Sequence, residues 1–149
     1  MKRGGLVMFM GEFNHSIDNK GRLIIPAKFR SQLGERFVIT RGMDRCLSGY
    51  SMAEWDKLKQ QLEKLPMTKK NVRQFVRLIY SAAIECEFDR QGRVNLSKIL
   101  INYAGISKKC VVVGVSSHFE IWDEDAWQQY SEQAAEDFDD VAEDIDFDF

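Results

Sequence analysis

An aspartate and an arginine four residues apart, with a glycine between them, occur twice in this chain. Residues 17–25 have the sequence IDNKGRLII, and 71 positions later residues 88–96 have FDRQGRVNL. The aspartate suits the first position of a turn because its carboxylate accepts backbone N–H groups, and the glycine tolerates positive φ. The arginine offers a planar pair of donors, which suits guanine O6 and N7 or a phosphate. We call residues 18–22 turn 1 and residues 89–93 turn 2.

A turn that is presented twice suits a repetitive ligand better than a single small-molecule pocket, and double-stranded DNA is such a ligand. The predicted DNA-binding residues are Asp18, Lys20, Arg22, Lys28, Arg30, Asp89 and Arg93. Among them, Arg22 and Arg93 are predicted to contact bases and Lys20 to contact phosphate, while the two aspartates orient their arginines. For either copy alone, a well-capped turn with a surface ion pair worth less than ~1 kcal/mol is the alternative interpretation.

The short helix that follows each turn differs in charge between the two copies. Lys28 and Arg30 follow turn 1, whereas Ile99 and Ile101 occupy the matching positions after turn 2. Contact with a phosphate backbone depends on cations. We therefore expect the first copy to make the stronger contact with DNA.

Charge is divided unevenly along the chain, although the 149 residues together have a net charge of only −2. Residues 1–80 carry +9 and residues 81–149 carry −11, with 12 acidic residues and no lysine or arginine in residues 123–149. A polyanion is attracted to one part of such a molecule and repelled from the other, so a nucleic-acid surface is expected mainly in the first half. The acidic end is interpreted either as a solvated segment that aids solubility or as one that competes with DNA.

Local patterns predict an α+β fold made of two copies of one unit. Extended segments flank each turn, a short helix follows at residues 27–33 in the first copy, and β-rich runs follow at residues 37–40 and 110–113. Ser51 and Glu54 have the spacing of a capping box and predict the start of a longer helix. After the second copy, an aspartate at position 123 is placed to cap a last helix.

The chain is predicted to divide into five segments. They are a flexible N-terminal arm at residues 1–9, a first repeat at 12–54, a helical connector at 55–82, a second repeat at 83–126, and a C-terminal helix with an acidic tail at 127–149. The arm is interpreted either as a tag remnant or the result of a misplaced start codon, or as a basic segment that contacts phosphate. The basic residues Arg73 and Arg77 of the connector fit a solvated helix face, a subunit contact or a phosphate contact. At its charge density, about the last ten residues are expected to be disordered.

Several function classes lack their residue signatures in this sequence. Cys46, Cys86 and Cys110 have no C-x-x-C spacing and are predicted to be reduced packing residues, and the isolated His15 and His118 are predicted to lie on the surface or on strands. No metal, cofactor or small-molecule substrate is predicted, and the absence of a phosphate loop or a nucleophile elbow argues against an enzyme. The apolar runs are too short to span a bilayer, so we expect a cytoplasmic protein with no membrane partner.

Three stretches of this sequence closely resemble the bacterial MraZ family. They are MFMGEF at residues 8–13, DNKGRLIIPAKFR at residues 18–30 and DRQGRV at residues 89–94. The family's Asp-x-x-x-Arg signature appears as Asp18 with Arg22 and again as Asp89 with Arg93, and the similarity extends over nearly the whole chain. The second copy departs in one place, where Ser97 stands in the position of Pro26.

The resemblance implies a fold and a function that go beyond the residue patterns. It implies two tandem AbrB-like (SpoVT-AbrB) swapped-hairpin halves of β-α-β type that form one pseudo-symmetric domain with flanking helices. It also implies a nucleoid-associated, sequence-specific transcriptional regulator of its own division and cell-wall gene cluster, which binds direct repeats in promoter DNA as a homo-oligomeric ring. A protein-interaction adaptor without direct DNA contact is the alternative, because the acidic tail and its aromatic residues could form a partner surface.

Overall fold

The structure is a computed structural model, and it describes residues 8–147. Within that range the strands are β1 (Glu12–Ser16), β2 (Arg22–Ile24), β3 (Phe37–Arg41), β4 (Leu47–Ser51), β5 (Ile84–Cys86), β6 (Arg93–Asn95), β7 (Lys109–Val115) and β8 (His118–Asp123). The α-helices are α1 (Ala27–Leu33), α2 (Met52–Glu63), α3 (Lys70–Ala82), α4 (Lys98–Ala104), α5 (Glu124–Glu136) and α6 (Phe138–Asp144). The predicted mixed α+β class is confirmed.

The two repeats exchange their first strands. β1 of the first repeat pairs with β7 of the second, from Glu12 opposite Val113 to Ser16 opposite Lys109. In return, β5 of the second repeat pairs with β3 of the first. These pairs form the two edges of one antiparallel sheet with the order β1-β7-β8-β4-β3-β5. Because each repeat completes the sheet of the other, the two copies form one interlocked unit.

A pseudo-two-fold axis relates the repeats at two places. At the centre of the large sheet, β4 pairs with its counterpart β8, with Ser48 opposite Glu120. A separate two-stranded sheet pairs β2 with its counterpart β6, with Leu23 opposite Val94. Both pairs are antiparallel, so each strand meets its own equivalent in the reverse direction. The strands that follow the two turns are therefore held against each other.

The main core combines side chains from both sheets and from the short helices α1 and α4. Its largest fully buried members are Phe9, Phe29, Phe37, Phe119, Leu23, Ile25, Ile39, Leu47, Leu100 and Ile121. Full burial of one such side chain stabilises a fold by about 1.5–3 kcal/mol relative to exposure. The pairing of β2 with β6 buries Leu23 and Val94 at its centre, so the two-stranded sheet is fixed to the same core.

Phe9 corrects the predicted extent of the N-terminal arm. The expected flexible arm covered residues 1–9, but Phe9 is buried and its ring contacts Phe29 and Phe119. Its backbone also exchanges two 2.8 Å hydrogen bonds with Ser116. The apolar residues around Phe9 run consecutively from Leu6 to Met10, so they show no alternation or helical spacing that could reveal this packing. Within the rest of the arm, Met8 is exposed and residues 1–7 lie outside the described residues.

Several predicted helix starts are confirmed. The Ser51 hydroxyl accepts a 3.2 Å hydrogen bond from the backbone N–H of Glu54, and the Asp123 carboxylate accepts one of 3.4 Å from Ala126. The departure at Ser97 has a local explanation, because its hydroxyl accepts a 3.3 Å hydrogen bond from the N–H of Leu100. Proline and serine thus start α1 and α4 by different means, since proline has no N–H to satisfy at a helix start.

The C-terminal segment is more ordered than its charge predicted. Disorder was expected for about the last ten residues, but α6 extends through Asp144. Asp139 and Asp140 lie in its first turn, where the helix dipole favours negative charge. Val141 and Ile145 are four residues apart and therefore lie on one face. Charge position and apolar spacing thus offset the repulsion between the acidic side chains.

The three cysteines are buried free thiols, as predicted. Burial raises the pKa of the thiols of Cys86 and Cys110 to about 12, so both remain protonated near neutral pH. Among the described residues, no cluster of histidine, cysteine or carboxylate side chains could hold a metal ion. No helix in this range combines the length and the apolar character needed to cross a membrane.

Candidate nucleic-acid interface

Turn 1 is closed by hydrogen bonds to a single carboxylate. One oxygen of Asp18 accepts from the backbone N–H groups of Lys20 at 3.0 Å and Arg22 at 2.9 Å, and the other accepts from Arg22 Nε at 2.7 Å. Backbone hydrogen bonds of 3.0 Å link Asp18 to Gly21 and to Arg22. Gly21 has a φ of 81°, a conformation that costs a glycine little. The carboxylate therefore fixes both the turn and the direction of the arginine.

Turn 2 repeats this geometry almost bond for bond. Asp89 accepts from the backbone N–H groups of Gln91 and Arg93 at 2.9 Å each, and from Arg93 Nε at 2.8 Å. Gly92 has a φ of 76°. The predicted capping role of both aspartates is therefore present in the structure, and each arginine is held through Nε.

The arginine side chains keep part of their surface free for a ligand. The side chain of Arg22 is 33% exposed and that of Arg93 is 24% exposed. In the part of the chain that the structure describes, the terminal Nη nitrogens of Arg22 have no hydrogen-bond partner. An arginine that is anchored through Nε has lost much of its rotamer freedom already, so it loses less entropy when its Nη groups bind.

The same contacts shift the acidity of both carboxyl groups. The hydrogen bond from the Arg22 backbone N–H is the largest influence that lowers the pKa of Asp18, and the Arg22 side chain lowers it further. The corresponding bonds from Arg93 lower the pKa of Asp89. Both carboxylates are therefore ionised at any pH near neutrality, and their negative charge is met by the arginines that they hold.

The two turns lie side by side. In the two-stranded sheet, Arg22 is opposite Asn95 and Ile24 is opposite Arg93, so the arginines begin neighbouring antiparallel strands. Arg93 Nη1 lies 3.7 Å from the carboxylate of Asp18, which already binds Arg22 at 2.7 Å. One carboxylate thus faces the arginines of both repeats. The structure brings the two predicted arginines together, with Asp18 between them.

Arg30 was predicted from sequence to add charge near turn 1, but its guanidinium lies against turn 2. A Cβ on Gly92 would lie 2.6 Å from the guanidinium carbon of Arg30, so arginine and glycine are in close contact. Arg30 Nη1 also donates a hydrogen bond to the backbone carbonyl of Ile25. In the other repeat, Ile101 occupies the matching place, 3.4 Å from a Cβ built on Gly21. Strand exchange thus assigns the helix of each repeat to the turn of the other.

The remaining predicted cations are exposed. Lys20 lies at the tip of turn 1, and Lys28 lies on the solvent side of α1. Neither side chain makes an ion pair with another described residue. They are available for phosphate contact, although nothing in the fold orients them as Asp18 orients Arg22.

Three further cations close to the turns were missed by the sequence prediction. Arg90 is exposed within turn 2, at the position next to its aspartate. Lys98, at the start of α4, lines a cleft with Lys20 and turn 1, and Lys108 lines the neighbouring cleft beside Asp18. Arg90 could have been found from its place in the turn. The two lysines could not, because only the strand exchange brings the second repeat to turn 1.

The other basic cluster lies away from the turns, on α3. Arg73 Nη1 donates hydrogen bonds of 3.1 and 3.0 Å to the backbone carbonyls of Met67 and Thr68, just before the helix. Arg77 is exposed on the same helix. Arg73 therefore stabilises the start of α3.

Comparison with known proteins relates residues 8–148 of this chain to one family. The sequence model described as "MraZ protein, putative antitoxin-like" matches twice, at residues 8–78 and 79–148. A Ligilactobacillus salivarius protein named Transcriptional regulator MraZ is 62% identical over 142 residues, which are 95% of this chain and 99% of the relative. A protein of the same name from Limosilactobacillus fermentum is 59% identical over 135 residues, 91% of this chain and 94% of the relative.

Proposed function

This chain belongs to the MraZ family, and from that premise we propose that it is a sequence-specific, DNA-binding transcriptional regulator. The observation that carries the proposal is the pairing of the two turns, which holds Arg22 and Arg93 on adjacent strands with their side chains anchored and partly exposed. In the major groove, an arginine fork fits guanine O6 and N7. Both turns together then act on one stretch of DNA.

The other predicted site residues take supporting roles in this proposal. Asp18 and Asp89 position the arginines, and the exposed Lys20 and Lys28 contact phosphates, which add affinity without sequence information. Arg30 packs against Gly92 of turn 2 and donates a hydrogen bond to the backbone carbonyl of Ile25. Its charge adds to the attraction of the turn for DNA even if it touches no base.

The assembly and the target of the protein are part of the same proposal. The regulator is a homo-oligomeric ring that binds direct repeats in the promoter of its own division and cell-wall gene cluster, in the cytoplasm and in association with the nucleoid. One chain with a net charge of −2 holds DNA weakly in physiological salt. Linked copies raise the effective concentration, and repeats about one helical turn apart lie on one face of the duplex.

We further propose that the fold is a tandem pair of AbrB-like swapped hairpins. The reciprocal pairing of β1 with β7 and of β5 with β3 supports this assignment. The functional division remains a first repeat at residues 12–54, a connector at 55–82, a second repeat at 83–126 and a C-terminal acidic segment from residue 127.

Replacement of Arg22 by alanine is the direct test of the proposal. Arg22→Ala should abolish specific binding to promoter DNA in a gel-shift assay, because one bidentate arginine–guanine contact is worth about 1–3 kcal/mol and is lost in every copy of the ring. The fold and the assembly should be unchanged by circular dichroism and sedimentation. Arg36→Ala is the matched control, since Arg36 pairs with Glu85 at 3.0 Å and is no part of either turn. If Arg22→Ala binds the promoter as tightly as the unmodified chain, the assignment of the turns fails.

A salt titration separates this function from that of an adaptor without DNA contact. Affinity for promoter DNA should fall steeply as salt is added, because binding releases counterions from the phosphates. An apolar protein contact would be nearly insensitive to the same change. An affinity for DNA that is flat between low and physiological salt would contradict the proposal.

A further inference from the structure

The two-stranded sheet of β2 and β6 has one buried face and one exposed face. Leu23 and Val94 lie opposite each other on the buried face, and they are 0% and 1% exposed. Successive side chains of a strand point to opposite faces of a sheet, so the residues on either side of these two share the other face. They are Arg22 and Ile24 of β2 and Arg93 and Asn95 of β6. We call these four residues the outer array.

Strand pairing arranges the outer array in two rows. Arg22 lies opposite Asn95 in one row, and Arg93 lies opposite Ile24 in the other. Directly opposite side chains of such a pair are about 5 Å apart, and rows that are two residues apart are separated by about 7 Å. Base pairs of B-DNA are stacked about 3.4 Å apart, so the two rows span about two base-pair steps. The array therefore has the size of a short, continuous run of bases.

The two residues beside the arginines are exposed, and neither is needed to build the fold. Ile24 is 38% exposed although it is apolar, and Asn95 is exposed as well. Among the described residues, no group forms a hydrogen bond with the side-chain amide of Asn95. Its Oδ1 lies 3.3 Å from a Cβ built on Gly21, so the amide is next to turn 1. Both side chains are therefore free to contact a ligand that the arginines bind.

The chemistry of these two residues fits base edges in the major groove of DNA, which is wide enough to admit a two-stranded β-ribbon. There an asparagine amide pairs with N6 and N7 of adenine, and an apolar side chain contacts the methyl group of thymine. The minor groove presents neither N7 nor the methyl group. We propose that Asn95 and Ile24 are specificity-determining residues, which contact an adenine and a thymine beside the guanines bound by the two arginines. This inference rests on the DNA-binding function proposed above.

The same two residues give the outer array a direction. Equivalent positions of the repeats differ by 71 residues, so the pseudo-two-fold axis exchanges Arg22 with Arg93 and Ile24 with Asn95. The arginines alone form a symmetric surface, which matches a palindromic DNA site. Because isoleucine and asparagine differ, the complete array distinguishes the two orientations of a DNA element. Direct repeats hold every element in the same orientation, so an asymmetric array matches them better than a symmetric one.

Selection from a pool of randomised duplexes tests the assignment. The unmodified chain should enrich a motif in which an adenine and a thymine adjoin guanines. Asn95→Ala should lose the preference for that adenine by roughly tenfold, and Ile24→Ala should lose the preference for that thymine severalfold. The guanines should remain in both motifs. Asn95→Ile should replace the preference for adenine by one for thymine, and its motif should become more nearly palindromic.

Modified bases in the enriched duplex identify the atoms that are contacted. An adenine analogue with carbon in place of N7 should weaken binding of the unmodified chain and should weaken Asn95→Ala no further. Deoxyuridine in place of thymidine lacks the methyl group and should act in the same way on the unmodified chain and on Ile24→Ala. Fluorescence anisotropy measures each combination. A loss that is not additive between the base and the side chain indicates that the two are in contact.

Asn71→Ala and Val115→Ala are the matched controls, because both residues are exposed and lie outside the turns and the outer array. Both controls should keep the motif, and circular dichroism should give the same spectrum for all variants. The inference is overturned if Asn95→Ala and Ile24→Ala keep the motif and the response to both analogues while Arg22→Ala loses enrichment, and the proposed function then stands. An unmodified chain that enriches no motif overturns the inference and the proposed function together.

Discussion

Turn 1 and turn 2 share one internal geometry and differ in what surrounds them. Each is closed by a carboxylate that accepts two backbone bonds and one from arginine Nε. The apolar side chain of Ile101 lies next to Gly21 of turn 1, whereas the guanidinium of Arg30 lies next to Gly92 of turn 2. The turn sequence therefore determines the local conformation, whereas the electrostatic environment comes from the other repeat.

This difference bears on the expectation that the first copy makes the stronger contact with DNA. Ile99 and Ile101 make the second copy poorer in charge only if each short helix lies against the turn of its own repeat. With the strands exchanged, turn 2 receives Arg30, and turn 1 receives Lys98 and Lys108 from the second repeat. We therefore propose that the two turns contribute to DNA contact more equally than their own repeats suggest.

The largest difference between the two turns is expected when each arginine is removed separately. Arg93→Ala should weaken specific DNA binding by roughly tenfold or more, approaching the loss in Arg22→Ala, because each variant loses one fork worth about 1–3 kcal/mol. Fluorescence anisotropy with a labelled promoter duplex measures both. If Arg93→Ala binds like the unmodified chain while Arg22→Ala does not, only turn 1 contacts bases.

Exchange of the aspartates for asparagine should have a smaller effect, because it weakens positioning and leaves both arginine forks in place. Asp18→Asn should reduce DNA affinity more than Asp89→Asn, since Asp18 lies within 2.7 Å of Arg22 and 3.7 Å of Arg93. The same anisotropy assay ranks the variants. A loss in Asp18→Asn that equals or exceeds the loss in Arg22→Ala would make the carboxylate the primary determinant.

Arg30→Met and Lys28→Met separate the roles of the two cations of α1. Each removes one positive charge from α1, but only Arg30 donates to a backbone carbonyl and packs against Gly92. Arg30→Met should lower the free energy of unfolding by about 1 kcal/mol, the usual net contribution of such a bond. Lys28→Met should leave it within error. Urea denaturation compares them, and equal stability would show that Arg30 contributes charge alone.

The smallest expected effect is on the acidity of the two carboxyl groups. NMR titration should give pKa values for Asp18 and Asp89 below the ordinary value of 3.8. Arg22→Ala should return the pKa of Asp18 only partly toward its ordinary value, because the backbone N–H at position 22 still donates its hydrogen bond to the carboxylate. Because folding lowers the pKa of Asp18 and Asp89, the two ionised carboxylates stabilise the fold at pH values above their unfolded pKa. This stabilisation is lost as the pH falls through the folded pKa. An ordinary pKa for either group in the unmodified chain would contradict the turn geometry.

Much of the local structure could be predicted because it depends on neighbours in the sequence. The bonds from Asp18 to residues 20 and 22 span one turn, and the cap between Ser51 and Glu54 spans three residues. Patterns of this range are visible in a single sequence. They gave the turns, the capped helices and the α+β class.

Features that depend on distant pairing could not be predicted in the same way. Burial of Phe9 depends on Phe119, and the contact of Arg30 with turn 2 depends on the passage of β5 and β6 into the other repeat. Internal similarity indicates that two units exist, but it does not tell which strand pairs with which. The partners of each turn were therefore assigned to the wrong helix.

The exchange of edge strands also affects the order in which the protein can form during synthesis. When β3 leaves the ribosome, its edge partner β5 is still dozens of residues from being made, and β1 waits even longer for β7. Strands of the first repeat therefore lack their sheet partners until the second repeat has been made. A nascent chain that carries only one half exposes unpaired strand edges, which favour aggregation, and the native topology is reached only after β7 and β8 emerge.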